Sequence, residues 1–266
     1  MLRWGLSIWG MVFCFSLTLS AYELEIGTNL RSFDYKETLP DPYKSEESVQ
    51  FVSLILGARK AWTTSALSLR WEGRDLVESQ FDGTTLSGRP VTATNFSGFY
   101  DLGIQYEYFI DSEWSFLIGG GWHHWNRFLT GGSGYREIYS WYFWDLGFQW
   151  DYYQIEDYLL RVEAHVQQML NGKIQIIFSE TNTNGDDSVL NLGNRAGYRV
   201  EFPIVKAIKM TPWQLKMVPW WAFSEIGESN SAYNRTELST GTLGNIHEPA
   251  SKTTEYGVKF SALYRW

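Results

Sequence analysis

Histidine is the side chain that titrates nearest neutral pH without help from its surroundings, and this chain has four, at positions 123, 124, 165 and 247. Glu163-Ala164-His165 puts a carboxylate two residues from an imidazole. On a strand both face the same way, an arrangement that could activate water as a general base, or equally form a buried salt-bridged pair. In Trp122-His123-His124-Trp125-Asn126-Arg127 the neighbouring histidines would point to opposite faces, so they cannot jointly chelate a metal without a bulge. His123 is expected inside with Trp125 and Arg127, while Trp122 and His124 belong to an outer aromatic belt. His247 stands beside Glu248-Pro249 in a polar stretch and reads as solvated. A hydrolase at the end of the sheet would need His123, Ser133 and an acid within hydrogen-bond reach. The chain has no His-x-Ser pair, phosphate-cradling glycine loop, zinc-type cysteine spacing or EF-hand pattern. The oxygen-rich Asn182-Thr-Asn-Gly-Asp-Asp187 is explained by a turn. No catalytic residue, metal or cofactor is expected.

Alternation identifies the elements that carry these side chains. Tyr100, Leu102, Ile104, Tyr106 and Tyr108 oppose Asp101, Gly103, Gln105 and Glu107, and the pattern recurs over Tyr142 to Trp150 and Leu160 to Val166. Asp101-Leu-Gly-Ile-Gln-Tyr-Glu-Tyr aligns with Asp145-Leu-Gly-Phe-Gln-Trp-Asp-Tyr at an offset of 44 residues, and a short acidic turn follows each copy. We read this as duplication of a strand-turn-strand unit, with a weaker echo at Ala196-Gly-Tyr-Arg-Val-Glu-Phe. Ten strands are predicted, over 22–32, 49–60, 64–74, 96–109, 114–128, 136–152, 157–170, 189–205, 212–224 and 253–266. Their links alternate between short (61–63, 110–113, 153–156, 206–211) and mostly long (33–48, 75–95, 129–135, 171–188, 225–252). Poor alternation through Leu54, Ile55 and Leu56 leaves eight strands open, and extra strands inside the loops would make twelve. Lys173 to Glu180 and the type I′ signal Asn184-Gly185 predict a projecting hairpin, with a bulge at Gly172.

The fold class that follows is all-β, a single transmembrane antiparallel β-barrel with short turns at one end and long loops at the other. Its register turns Glu23, Glu25, Arg70, Glu72, Asp101, Glu107, Asp145, Asp151, Arg161, Glu163, His165, Arg195, Arg199, Glu201, Lys216, Lys259 and Arg265 inward. Opposite charges in similar number would neutralise one another in a packed polar interior, or line a narrow conduit for ions or small solutes. The expected function is the conduit, a small porin-like or channel-forming surface protein passing ions or small solutes, in which Glu107, Asp145, Asp151, Arg161, Glu163, His165, Arg195, Arg199, Glu201 and Lys259 tune selectivity. In the alternative, a surface adhesin or ligand-binding barrel with a plugged lumen, the loops 33–48, 75–95, 171–188 and 225–252 carry the function.

Composition and the chain ends agree with this class. Arg3, the apolar run from Ile8 to Leu19 and Ser20-Ala21 read as a secretory leader over 1–21, leaving a barrel domain over 22–266. Cys14, the single cysteine, lies in the leader. Without Arg3 the net charge of −8 becomes −9, and no basic stripe suits nucleic acid. Aromatics make up 17% of the chain, as interfacial girdles require. The last residues, with Tyr256, Val258, Phe260, Tyr264 and Trp266 on one face and Gly257 on the other, resemble the terminal insertion signal of bacterial outer-membrane β-barrels. That resemblance implies an outer-membrane address, contact with outer-membrane lipids and lipopolysaccharide, and handling by periplasmic chaperones and the barrel-assembly machinery. The Glu163-x-His165 spacing is similar to that of the ten-stranded omptin proteases. However, His165 falls mid-strand, and no acidic pair in the early loops matches theirs.

Overall fold

A computed structural model describes residues 21–84, 88–130, 134–178, 187–234 and 244–266. The expected leader, Ser133 and the Asn184-Gly185 turn lie outside the described residues. The chain forms β1 (Ala21–Glu37), β2 (Ser45–Ala61), β3 (Ser65–Thr84), β4 (Pro90–Phe109), β5 (Trp114–Leu129), β6 (Tyr135–Ile155) and β7 (Tyr158–Ile177). Then come β8 (Ser188–Asn191), β9 (Ala196–Glu201), β10 (Ile204–Ala207), β11 (Trp213–Ile226), β12 (Ala232–Asn234), β13 (Gly244–Ile246) and β14 (Ser251–Arg265). All named pairings are antiparallel. β14 pairs with β1 from Glu23↔Arg265 to Glu37↔Ser251, which closes the sheet and removes its free edges. β8, β9 and β10 together form one wall between β7 and β11, so the barrel has ten walls. Pro203 separates β9 from β10 because it has no N–H to donate, and its carbonyl still accepts from Arg161 N at 3.0 Å. β12 and β13 form a separate hairpin.

Both ends of the described chain lie at one end of the barrel, the foot, together with the short turns; the opposite end is the rim. Leu24, Ile26 and Leu30 of β1 face outward and are about half exposed, whereas Asn29 and Arg31 face the lumen and are buried. On β6 the outward apolar run extends from Tyr142 to Tyr152. At about 3.4 Å per residue and a tilt of about 40°, this run climbs roughly 25 Å, the height of a transmembrane barrel's apolar band. Aromatic residues edge the band. Tyr22 stacks on Trp266 (5.7 Å) and Trp114 on Trp150 (5.5 Å) toward the foot. Tyr100, Trp122 and Tyr142 mark the upper edge.

The walls do not stop where the predicted strands stop. β1 runs on to Glu37, β3 to Thr84, and β2 and β4 begin at Ser45 and Pro90, so much of what was expected as loop is paired strand. The cause is a switch of parity. Within the band the even positions of β1 and β2 are apolar and point out. Above it the odd positions Phe33, Tyr35, Val49 and Phe51 are apolar and buried inside, while Ser48, Gln50, Asp34 and Lys36 alternate with them. β7 makes the same inversion with the expected bulge: Asn171 and Gly172 together oppose Trp141, between the pairs Ser140↔Lys173 and Tyr142↔Leu170. Asn171 takes the left-handed conformation there (φ 52°). Leu170 therefore faces out and Ile174 and Ile176 face in.

The rim half consequently has an apolar core of its own. Phe51 stacks on Phe99 (4.8 Å), Phe99 on Trp125 (5.9 Å) and Trp125 on Tyr139 (4.6 Å), a layer of four rings from β2, β4, β5 and β6. Phe33, Met169, Ile174, Leu190 and Ile226 complete it from the other walls. The segment after β11 folds over this layer. Ala232 and Ile246 pack against it and Glu248 is buried beneath the rim, so the described part of the last loop turns inward.

Candidate functional site

Below the aromatic layer the lumen is a cavity of about 800 Å³, lined from Phe33, Trp125 and Trp141 down to Asp111, Glu113, Glu156 and Asp157 of the foot turns. Its charges are organised into pairs. Arg31 faces Glu72 (3.8 Å), Asp101 (3.3 Å) and, in direct contact, Glu255. Lys259, 1% exposed, reaches Glu201 at 2.7 Å, and Arg199 meets the same oxygen at 2.5 Å. Trp220 lies under the cations of Arg31, Arg199 and Lys259, and its indole donates to Asn29, which donates to Glu72. Toward the foot Arg161 holds Asp151 with two hydrogen bonds (2.6 and 3.0 Å). Glu107 accepts from Arg59 (2.8 Å) and Gln149 (3.0 Å). Arg195 also lines this cavity, but from the exposed link between β8 and β9, where its carbonyl accepts from Met169 N.

The duplicated unit carries an acid-histidine pair in each copy. Asp101 on β4 sits opposite His123 on β5, with Oδ1 and Nδ1 2.5 Å apart, and the imidazole stacks on Trp141 at 4.1 Å. Asp145 on β6 contacts His165 Nδ1 on β7 at 2.9 Å. His165 Nε2 lies 3.6 Å from Glu163, so its imidazole sits between two carboxylates, within the lumen and under the aromatic layer. His124 points outward beside Trp122 and Tyr100. His247 is exposed, 3.9 Å from Glu228. Among the described residues no group of His, Cys, Asp or Glu is arranged to hold a metal ion.

A second cluster sits above the aromatic layer and was not anticipated apart from Arg127. Arg127, 2% exposed, contacts Glu47 (2.6 Å), Glu137 (3.0 Å) and Glu37 (3.9 Å). Glu47 also accepts from Ser79 (2.7 Å), Ser97 (2.6 Å) and Asn95 (3.2 Å). The hydroxyls of Tyr35 (2.8 Å) and Tyr139 (2.7 Å) both donate to Glu248 Oε1. Three carboxylates thus converge on one guanidinium, and a fourth, Glu248, lies beside them on the two tyrosine hydroxyls. Both Glu248, in the last loop, and Glu37, at the tip of β1, lie beyond the apolar band. Burial, followed by the charges of Glu137 and Glu37, holds the Glu248 carboxyl well above the usual range, and burial also raises that of Glu37. The overlooked signal was parity: Tyr35-x-Glu37, Glu47-x-Val49-x-Phe51 and Glu137-x-Tyr139 each put an acid in step with buried apolar residues.

No known protein family and no curated protein matches the sequence. Among solved structures, the outer-membrane protease OmpT of Escherichia coli aligns with a TM-score of 0.55 at 9% identity, covering 93% of this chain and 96% of that one. The P. putida toluene transporter TodX aligns with a TM-score of 0.37 at 7% identity (92% and 89% covered). The translocator domain of the autotransporter NalP from Neisseria meningitidis gives 0.42 at 8% (90% and 88%). The fold, a closed antiparallel barrel of ten walls, is that of an outer-membrane β-barrel such as OmpT. At these identities the likeness extends to the fold alone.

Proposed function

We propose that this protein resides in the outer membrane, foot toward the periplasm, and works as a plugged barrel that binds ligands or surfaces at its rim rather than as an open conduit. The observation that carries this reading is the ring layer of Phe51, Phe99, Trp125 and Tyr139, which fills the lumen above the 800 Å³ cavity. Rings packed at 4.6 to 5.9 Å between centroids leave no aqueous path between them. In this reading the lumen charges, Glu107, Asp145, Asp151, Arg161, Glu163, His165, Arg199, Glu201 and Lys259 among them, brace the wall instead of selecting ions. Their close pairing in a narrow barrel supports that role. A leader over 1–21, the outer-membrane lipids and lipopolysaccharide, and the assembly machinery complete the proposed setting.

Single-channel recording in a planar bilayer tests the proposal. The wild-type barrel is expected to be folded and silent, and Phe99→Ala combined with Trp125→Ala should open conducting events by removing the centre of the layer. Steady openings of the wild type, altered by Arg199→Glu, would instead establish the conduit and overturn the plugged reading.

A further inference from the structure

Among the described residues the rim cluster holds more negative groups than its one cation, Arg127, can balance. Glu37 of β1, Glu47 of β2, Glu137 of β6 and Glu248 of the last loop all face Arg127 of β5 or one another, in a region where Glu47 is 2% exposed, Glu137 4% and Glu248 6%. Tyr35 of β1 and Tyr135 and Tyr139 of β6 complete the walls, and no second cation is among the described groups that face Glu248. Glu47 is the carboxylate best provided for, with Arg127, two serines and an asparagine. Glu248 makes no close ion pair with a described residue. Its contacts are the two tyrosine hydroxyls, and it sits on a segment that strands alone do not hold in place. Glu248 N donates to Ser229 Oγ at 2.8 Å, its carbonyl accepts from Ser229 N at 2.9 Å, and Ile246 packs against the apolar core of the rim half. On the segment itself, His247 faces outward to Glu228 and stays apart from the cluster.

We propose that the strap Ile246–Ala250 is docked by a proton held at Glu248, and that loss of this proton releases the strap from the rim. Three carboxylates already share the Arg127 guanidinium, and a charge on the fourth, Glu248, would meet both burial and its acidic neighbours in a dry pocket. The proton settles where no cation competes for the carboxylate. The sense of the pH effect follows by linkage. The Glu248 carboxyl binds its proton more tightly docked than free, so the proton's contribution to docking is fully present below the free value of about 4.5. It weakens tenfold per pH unit as pH rises from there to the raised docked value, and at more alkaline pH it levels off. The strap therefore lifts in alkali and closes in acid, changing which surface the rim presents while the ring layer beneath stays in place.

The test is electron paramagnetic resonance of a nitroxide at position 247, introduced as His247→Cys in the full chain with Cys14→Ser and followed from pH 4.5 to 10. The expected result is an immobile label in acid and a mobile-to-immobile ratio that climbs about tenfold per pH unit over part of the range. Glu248→Gln keeps an oxygen for both tyrosine hydroxyls and cannot ionise, so its label should stay immobile throughout. Glu248→Ala should be mobile at every pH. A wild-type spectrum that does not change across the range, or a Glu248→Gln label that follows the wild type, overturns the proposal.

Discussion

Arg31 carries a heavy electrostatic duty in the lumen. One guanidinium serves Glu72, Asp101 and Glu255 and lies over the rings of Phe99 (5.3 Å) and Trp220 (5.9 Å). Arg31→Met keeps much of the packing but removes the cation that Glu72, Asp101 and Glu255 share, and breaking a buried pair in this way costs about 3–5 kcal/mol. Unfolding by denaturant in micelles should show that loss, and Arg31→Lys should recover only part of it, because a point charge cannot serve three partners as a planar fork does. A methionine variant as stable as the wild type would mean that the surrounding acids take up protons at little cost. Arg31 shows how far residues could be read from the sequence. Glu107, Asp145, Asp151, Arg161, Glu163, His165, Arg199, Glu201 and Lys259 were placed inside by alternation alone, and all line or border the cavity. Arg31 was not, because the predicted first strand placed it beside Ser32 at its frayed end, where alternation gives out. Pairings such as Glu255 with Arg31 join residues at opposite ends of the chain, and nothing local encodes them.

At the scale of the strand, two adjacent walls offer a contrast between glycines that look alike in sequence. Gly103 and Gly121 are opposed on β4 and β5, and both face the lumen. A Cβ on Gly103 would meet nothing closer than 3.9 Å, whereas one on Gly121 would collide with the Leu102 carbonyl oxygen and lie 2.6 Å from the Phe143 ring. Gly103→Ala should leave the unfolding midpoint unchanged within error, while Gly121→Ala should lose about 1–3 kcal/mol by forcing backbone and ring apart. On the outer face, Ile104 is 51% exposed within the apolar band, so Ile104→Arg should cost about 2–4 kcal/mol near the midplane. A neutral result there would place β4 one residue out of register, with Gly103 on the lipid side. Strand number and register were legible because a membrane barrel repeats one rule along every wall. The upper thirds of β1 to β4 were not, because the rule inverts at the band edge. Above it the inside is apolar and the outside wet, as in a water-soluble barrel, and a search for one parity ends each strand at the switch. Ile55, fully buried in the lumen, broke the pattern of β2 within the band, an apolar residue on the polar side.

For the whole molecule the decisive event is closure, and it depends on the first and last walls meeting. Trp266 sits at that seam. Its carbonyl accepts from Tyr22 N (3.1 Å), its N–H donates to Tyr22 O (3.0 Å), and the two rings stack at 5.7 Å. The terminal aromatic can thus be important in two separable ways, as a mark read during assembly or as a physical clasp. The closed barrel leaves the backbone half of the clasp unchanged when either ring is removed, so the side chains can be compared directly. If the ring acts as a clasp, Tyr22→Ala and Trp266→Ala should slow insertion into vesicles of purified lipid to the same extent, since each removes one half of a stack worth about 0.5–1.5 kcal/mol. If Trp266 is read by the assembly machinery, the two variants should match in pure lipid, and Trp266→Ala alone should fall behind once that machinery is reconstituted. We expect the second pattern, because the whole face of Tyr256, Val258, Phe260, Tyr264 and Trp266 points outward, where a partner could reach it before closure. Equal slowing in both settings would reduce the terminus to its seam contacts.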